Sequence, residues 1–185
     1  GQSKLDVTTT RVSNTDLLTY PDEYAELWDY DADGDDDLVV GGNLRTEGLK
    51  IFINNNGEFN ETTELTFTEN YKDFILADFD GDGDKDLCIG FNGFPIDNNS
   101  LIVWENLGGG NFGDPVGLPY TQGYWSMVSG DFTGDGLPDI VIADLTGGNQ
   151  PRTIYMVENN GDFTFEAATL LLDPMSALTA IEVLD

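Results

Sequence analysis

Asp78-Phe79-Asp80-Gly81-Asp82-Gly83-Asp84-Lys85-Asp86 places aspartates on alternate positions, a glycine at the sixth and a further aspartate at the ninth. That spacing lets a tight loop wrap carboxylates around a hard divalent cation. Calcium suits it, because calcium accepts six to eight oxygen ligands at flexible geometry.

Moving outward, the stretch has a near twin on each side. Residues 28–41, 77–90 and 130–143 lie over one another, and the first aspartates stand at 29, 78 and 131, giving periods of 49 and 53. A second shared feature follows each loop: an apolar run that ends in an Asn/Gly turn and an aromatic. These are Leu49 to Phe59, Leu101 to Phe112 and Thr153 to Phe163. Asn-Gly and Gly-Asn between β-rich runs are hairpin signals. Each unit therefore reads as four strands; in the second unit they fall near 73–79, 87–91, 101–106 and 112–118. A period of 3.6 persists over no helix-length window, so very little helix is expected. Four short antiparallel strands in roughly fifty residues have the dimensions of a propeller blade.

The expected fold is thus all-β, a β-propeller-type array of about three full blades with partial blades at both ends. Residues 1–22 hold a strand of a preceding blade and a linker, 23–72, 73–123 and 124–177 are the three repeats, and 178–185 begin a further blade. Within the end segments, 6–12 read as a fourth strand without the three before it, and 180–185 match the strand that enters a loop. Repeat units bury their faces only against neighbours. The array is therefore expected either to be a segment of a longer propeller or to pair with other copies of itself. Head-to-tail contact that does not close by rotation makes a filament.

Composition narrows the function classes. With 39% hydrophobic and 11% aromatic residues the chain can bury a core. Seven Lys+Arg against 35 Asp+Glu give a formal charge of -28. A divalent ion in each loop would bring it only to about -22, which argues against nucleic acid and anionic membrane surfaces as partners. No run of eighteen apolar residues exists, so no membrane insertion is expected. Gly1-Gln2-Ser3-Lys4 lacks the apolar region of a signal peptide. The absence of histidine excludes histidine general acid/base catalysis and histidine-ligated zinc.

Site one would use the side chains of Asp29, Asp31, Asp33 and Asp37 with the carbonyl of Asp35. Site two would use Asp78, Asp80, Asp82 and Asp86 with the carbonyl of Asp84. Site three offers Asp131, Asp135 and Asp139, the carbonyl of Leu137, and Thr133 where the others have aspartate, so it should be the weakest. Gly34, Gly83 and Gly136 stand where the loop must turn sharply. An EF-hand would need flanking helices and a glutamate at the twelfth position; the residues there are Val40, Ile89 and Ile142, so the cage must close at the ninth.

With these loops in register, the sequence resembles the FG-GAP/VCBS repeats of integrin-type β-propellers and of many bacterial surface and secreted proteins, from about Tyr24 onward. The resemblance implies that the loop Asp-x-Asp-x-Asp-Gly-x-x-Asp joins the first two strands of a blade and that the aspartates above are calcium ligands, Thr133 being a departure. It also implies an extracellular or cell-surface life, where millimolar calcium fills weak sites.

Plainer readings stand beside these. Acidic Gly-rich turns can be solvated hairpins, but carboxylates this close repel unless a cation lies between them. A cation held by four carboxylates and a carbonyl leaves little room for substrate, so the metal role is structural and no enzymatic activity is expected. Cys88 aligns with Val39 and Val141 and reads as a buried apolar position. Trp28 and Trp104 read as core. The aromatics of 120–125, Trp125 among them, fit either blade packing or a sugar-binding surface. Asn60 and Asn98 begin sequons, Asn98 in a surface loop being the better candidate for glycosylation. Three functions remain: a structural, adhesive or assembly module, possibly built into a surface fibre; a module that binds glycans or surface proteins; and the accessory region of a larger secreted enzyme.

Overall fold

A computed structural model describes residues 23–42, 48–67, 70–91, 99–120, 126–144 and 152–175. The terminal strands expected at 6–12 and 180–185, most of the loop 92–99 with Asn98, and Trp125 lie outside these residues.

The described residues contain twelve strands and no helix. They form three four-stranded antiparallel sheets, each in simple sequential order. The first holds β1 (Glu23–Trp28), β2 (Asp37–Gly42), β3 (Leu49–Asn55) and β4 (Glu58–Leu65). The second holds β5 (Tyr71–Ala77), β6 (Asp86–Phe91), β7 (Leu101–Trp104) and β8 (Val116–Gly117). The third holds β9 (Ser126–Gly130), β10 (Asp139–Asp144), β11 (Arg152–Val157) and β12 (Thr169–Met175). Four-stranded meanders packed face to face are the arrangement of propeller blades.

Turn chemistry sets these hairpins. Asn55 pairs Glu58 across Asn56 and Gly57, whose φ angles of 55° and 91° are the two left-handed residues of a type I′ turn. The corresponding turns of the other sheets take three left-handed residues, Gly108 to Gly110 in one and Gly161, Asp162 and Phe163 in the other. The extra residues shift the aromatic. Phe165, not Phe163, bridges Asn159 as Phe112 bridges Asn106, so the expected equivalence of Phe163 with Phe112 is off by two positions. The expected fourth strand over 112–118 also shrinks to Val116–Gly117, because Pro115 has no N–H to give the ladder.

The core lies between sheets rather than within one. Side chains alternate along each strand, and the second sheet is covered on both faces. Phe74, Leu76, Leu87, Ile89 and Ile102 pack toward the first sheet with Trp28, Val39 and Ile51. Ile75, Ala77, Cys88, Leu101 and Val103 pack toward the third with Met127, Ile140 and Ile142. Every residue of β6 is accordingly buried. Each such aliphatic side chain contributes about 1.5–3 kcal/mol, so the two seams hold the array together.

Trp28 is buried, Trp104 half-buried, and Cys88 is a buried free thiol whose pKa burial pushes up. Tyr120 is 1% exposed and packs edge-on against Tyr155, so it belongs to the second seam and not to an exposed aromatic surface.

Candidate metal-binding loops

Each acidic loop spans the turn from the first strand of a sheet to the second. Loop one (29–37) joins β1 to β2, loop two (78–86) joins β5 to β6, and loop three (131–139) joins β9 to β10. Their backbones are organised by their own carboxylates. The first aspartate receives amide protons from the tip: Asp33 and Gly34 donate to Asp29, Gly81 and Gly83 to Asp78, and Gly134, Asp135 and Gly136 to Asp131, at 2.6–3.1 Å. The fifth-position aspartate receives the amide two residues on, from Asp35 to Asp33, Asp84 to Asp82 and Leu137 to Asp135. Gly34, Gly83 and Gly136 have φ of 94°, 103° and 94°, which the turn requires and a side chain would strain.

The ninth aspartate is a buried clamp. Asp37 accepts from the amides of Tyr30 and Asn54, both at 2.8 Å. Asp86 accepts from Phe79 at 2.8 Å and Asn106 at 2.9 Å. Asp139 accepts from Phe132, Thr133 and Asn159 at 3.0–3.1 Å. All three are buried, at no more than 1% exposure. Each ties the loop to the end of the third strand of its sheet.

An asparagine at that strand end answers each clamp. The side chains of Asn54, Asn106 and Asn159 donate to the carbonyls of Asp36, Lys85 and Pro138, and accept from the amides of Gly57, Gly108 and Gly161. Sequence reading had these residues only as turn formers. Their recurrence once per repeat, 17 or 20 residues after the ninth aspartate, is the signal that they serve the loops.

Loops one and two concentrate carboxylates. Oxygens of Asp29, Asp31 and Asp37 lie within 4.8 Å of one another, as do those of Asp78, Asp80 and Asp82. Asp33 is not gathered into the first cluster, nor Asp86 into the second, although Asp37, clamped in the same way as Asp86, is part of the first. Among the described residues, Asp131, Asp135 and Asp139 form no such cluster, in the loop where Thr133 replaces an aspartate. The carbonyl donors expected at Asp35, Asp84 and Leu137 fall on the far side of each tip in sequence, two residues before the clamp.

Crowding shows in the protonation equilibria. Desolvation, followed by the charges of Asp82, Asp78 and Glu105, pushes Asp80 up. Desolvation and then Asp33 and Asp37 push Asp31 up. Burial raises Asp86 to about 7 despite amide donors from Asn106 and Phe79. A bound cation would reverse each of these shifts by favouring the charged form. All donors are oxygens, which fits calcium rather than a soft transition metal.

Two carboxylates outside the loops link the sheets. Asp73 of β5 accepts from Met127 of β9 at 3.1 Å and from Phe74 at 3.0 Å, and burial raises it to about 7. Glu26 of β1 is raised by burial, offset by Lys85 and by a backbone hydrogen bond from Leu76 of β5. Sequence reading assigned neither.

Stacked four-stranded meanders with an acidic, clamped loop between their first and second strands define a propeller-type repeat protein. A model of the FG-GAP-like repeat matches residues 29–89 and 78–142, more than half of the sequence, and the chain belongs to that family. No curated protein matches it. Among solved structures it is similar to a lectin of Agrocybe aegerita, described for specific recognition of non-reducing terminal N-acetylglucosamine. Identity is 24% and the TM-score 0.52; the similarity covers 82% of this chain but 38% of the lectin, and it shows the fold. No helix among the described residues is long and apolar enough to cross a membrane.

Proposed function

We propose that the chain is a calcium-stabilised, non-catalytic module that acts outside the cell as a structural, adhesive or assembly unit. The observation that carries this reading is the gathering of three carboxylate oxygens within 4.8 Å in each of loops one and two. Asp29, Asp31 and Asp37 would hold one ion and Asp78, Asp80 and Asp82 another. The ion's contribution is electrostatic, neutralising carboxylates that otherwise repel. Because the unfolded chain has no such cage, binding adds to folding stability. The test is thermal melting with calcium and with EGTA; equal midpoints would sink the reading.

A second reading, binding of a glycan or of a surface protein, is favoured by a cavity of about 340 Å³ at the first seam. Thr66, Phe67, Leu87, Trp104 and Phe112 line it. Aromatic rings beside a polar hydroxyl suit the apolar face of a sugar, and the similar fold of the fungal lectin supports the idea. Titration with N-acetylglucosamine and a glycan array tests it, with Trp104→Ala expected to abolish any binding seen. A blank array at high protein concentration would remove the glycan arm.

A further inference from the structure

Turn geometry and chemical durability conflict at two hairpins. A two-residue type I′ turn needs left-handed backbone at both positions, which Asn-Gly supplies with least strain. Asn56-Gly57 meets that need in the first sheet, and Asn160-Gly161 opens the matching turn of the third. The same dipeptide is the one most prone to modify itself. Glycine has no side chain to shield its backbone nitrogen, which can attack Cγ of the preceding asparagine. A new C–N bond closes a cyclic imide, the bond from Cγ to the side-chain nitrogen breaks, and ammonia leaves with the amide proton. Water then opens the imide at either carbonyl, leaving aspartate or isoaspartate, and no oxidant or cofactor takes part.

Both asparagines are exposed to the water this needs. The damage would be more than a change of charge. Isoaspartate adds a methylene to the main chain, and the first-sheet turn, where Asn55 pairs with Glu58, has no room in its register for one.

In neither turn is the attacking nitrogen free. The Gly57 amide donates to Oδ1 of Asn54 at 2.8 Å, and the Gly161 amide to Oδ1 of Asn159 at 3.0 Å. Each nitrogen is thus engaged, through the proton it must lose, with an oxygen that is not its target, and attack first has to break that hydrogen bond. The acceptors are themselves fixed. Asn54 donates its side-chain amide to the Asp36 carbonyl at 3.0 Å, and Asn159 to those of Phe79 and Pro138 at 2.8 and 3.2 Å. Their backbone amides are held by Asp37 and Asp139. The second sheet supplies an internal control: the Gly108 amide donates to Asn106 at 3.0 Å in the same way, but Leu107 precedes it and has nothing to react.

We propose that Asn56-Gly57 and Asn160-Gly161 are latent self-modification sites, which Asn54 and Asn159 hold closed by taking up the glycine amide proton. The asparagines that answer the clamps then guard the covalent chain as well as shape the hairpins. This inference needs no bound ion and stands apart from the calcium reading.

The test incubates the whole 185-residue chain in mildly alkaline buffer and follows positions 56 and 160 by peptide mapping, with the amide-to-acid mass gain counting conversion. In the folded wild type both should convert at least about tenfold more slowly than in the chain unfolded by guanidinium chloride, one hydrogen bond read as a rate. Asn54→Ala removes the acceptor and should speed position 56 about tenfold, while position 160 keeps its wild-type rate. Asn54→Asp loses the same tie to the Asp36 carbonyl but keeps an oxygen for the Gly57 amide, so position 56 should stay slow. Equal rates at position 56 in wild type and Asn54→Ala overturn the proposal. So does an Asn54→Asp chain that converts as fast as Asn54→Ala, which would trace the protection to the loop tie and not to the amide acceptor. That comparison decides even where the alanine chain is loosened, because both variants lack the tie.

Discussion

Loops two and three share a backbone and differ in what fills it. Both hold their first aspartate against the amides of the tip, both turn on glycines of positive φ at the fourth and sixth positions, and both close on a buried aspartate that accepts amides from two directions. Only loop two gathers three carboxylate oxygens. The comparison separates two jobs that the acidic spacing merges. In these two loops the ninth aspartate shapes the hairpin by hydrogen bonds and stays outside any cluster, and the third and fifth positions decide how much charge the loop concentrates.

The largest effect should come from breaking what the loops share. Asp86→Ala and Asp139→Ala each leave at least two buried or part-buried amides without an acceptor, and each should cost about 3 kcal/mol or more. The cost should be similar in the two loops and should persist in chelator, as measured by urea unfolding in EGTA. A loss seen only in calcium would mean that the clamps act through the ion. Next comes the feature that separates the loops. Asp80→Asn and Asp82→Asn should lower the calcium-dependent part of the melting temperature, whereas Thr133→Ala should leave it nearly unchanged. Thr133→Asp should add one calcium per chain by titration calorimetry, and an unchanged stoichiometry would show that loop three fails for another reason.

A pH experiment isolates the seam from the loops. Asp73 has its folded-state pKa raised to about 7 by burial. The folded protein therefore holds a proton that the unfolded chain has lost between about pH 4 and pH 7, and stability from this group falls as pH rises through that window. In EGTA, Asp73→Asn should flatten this slope while keeping one amide acceptor. A slope unchanged by the substitution would place the titration elsewhere, with Asp86, also raised to about 7, as the next group to test. The smallest effect belongs to loop one. Ala32 holds φ of 60° where the other two loops have Gly81 and Gly134, so Ala32→Gly should relieve strain and stabilise by roughly 0.5–1 kcal/mol.

Periodicity carried most of the architecture. A repeat of about fifty residues, the sixth-position glycines and Asn56-Gly57 specify hairpins whose order needs no long-range information, and the sheets follow that order. The loops were legible for the same reason. What periodicity could not show is whatever fails to repeat or depends on direction. Asp73 stands where the other units have Tyr24 and Ser126, so no comparison of copies could pick it out as a tie between sheets. Phe163 looked equivalent to Phe112 because it follows a glycine turn. Residue type does not reveal that three left-handed residues carry the chain past it before pairing resumes at Phe165. Tyr120 sits in an aromatic stretch that fits either blade packing or an exposed surface, and only the neighbouring sheet, which covers it, decides for packing. The ninth aspartates were identified as ligands, but their amide partners come from 17 and 20 residues away, beyond any local pattern.

Asn159 donates one side-chain amide to two carbonyls, Phe79 of loop two at 2.8 Å and Pro138 of loop three at 3.2 Å. Mechanically, the two loops are coupled in series through a single stiff group. Shear between the second and third sheets would have to stretch this amide and both hairpin tips together, so these sheets should yield as one unit under load. A pulling experiment on the chain would then show their rupture as one event, with a force that rises when loop two is charged with cation.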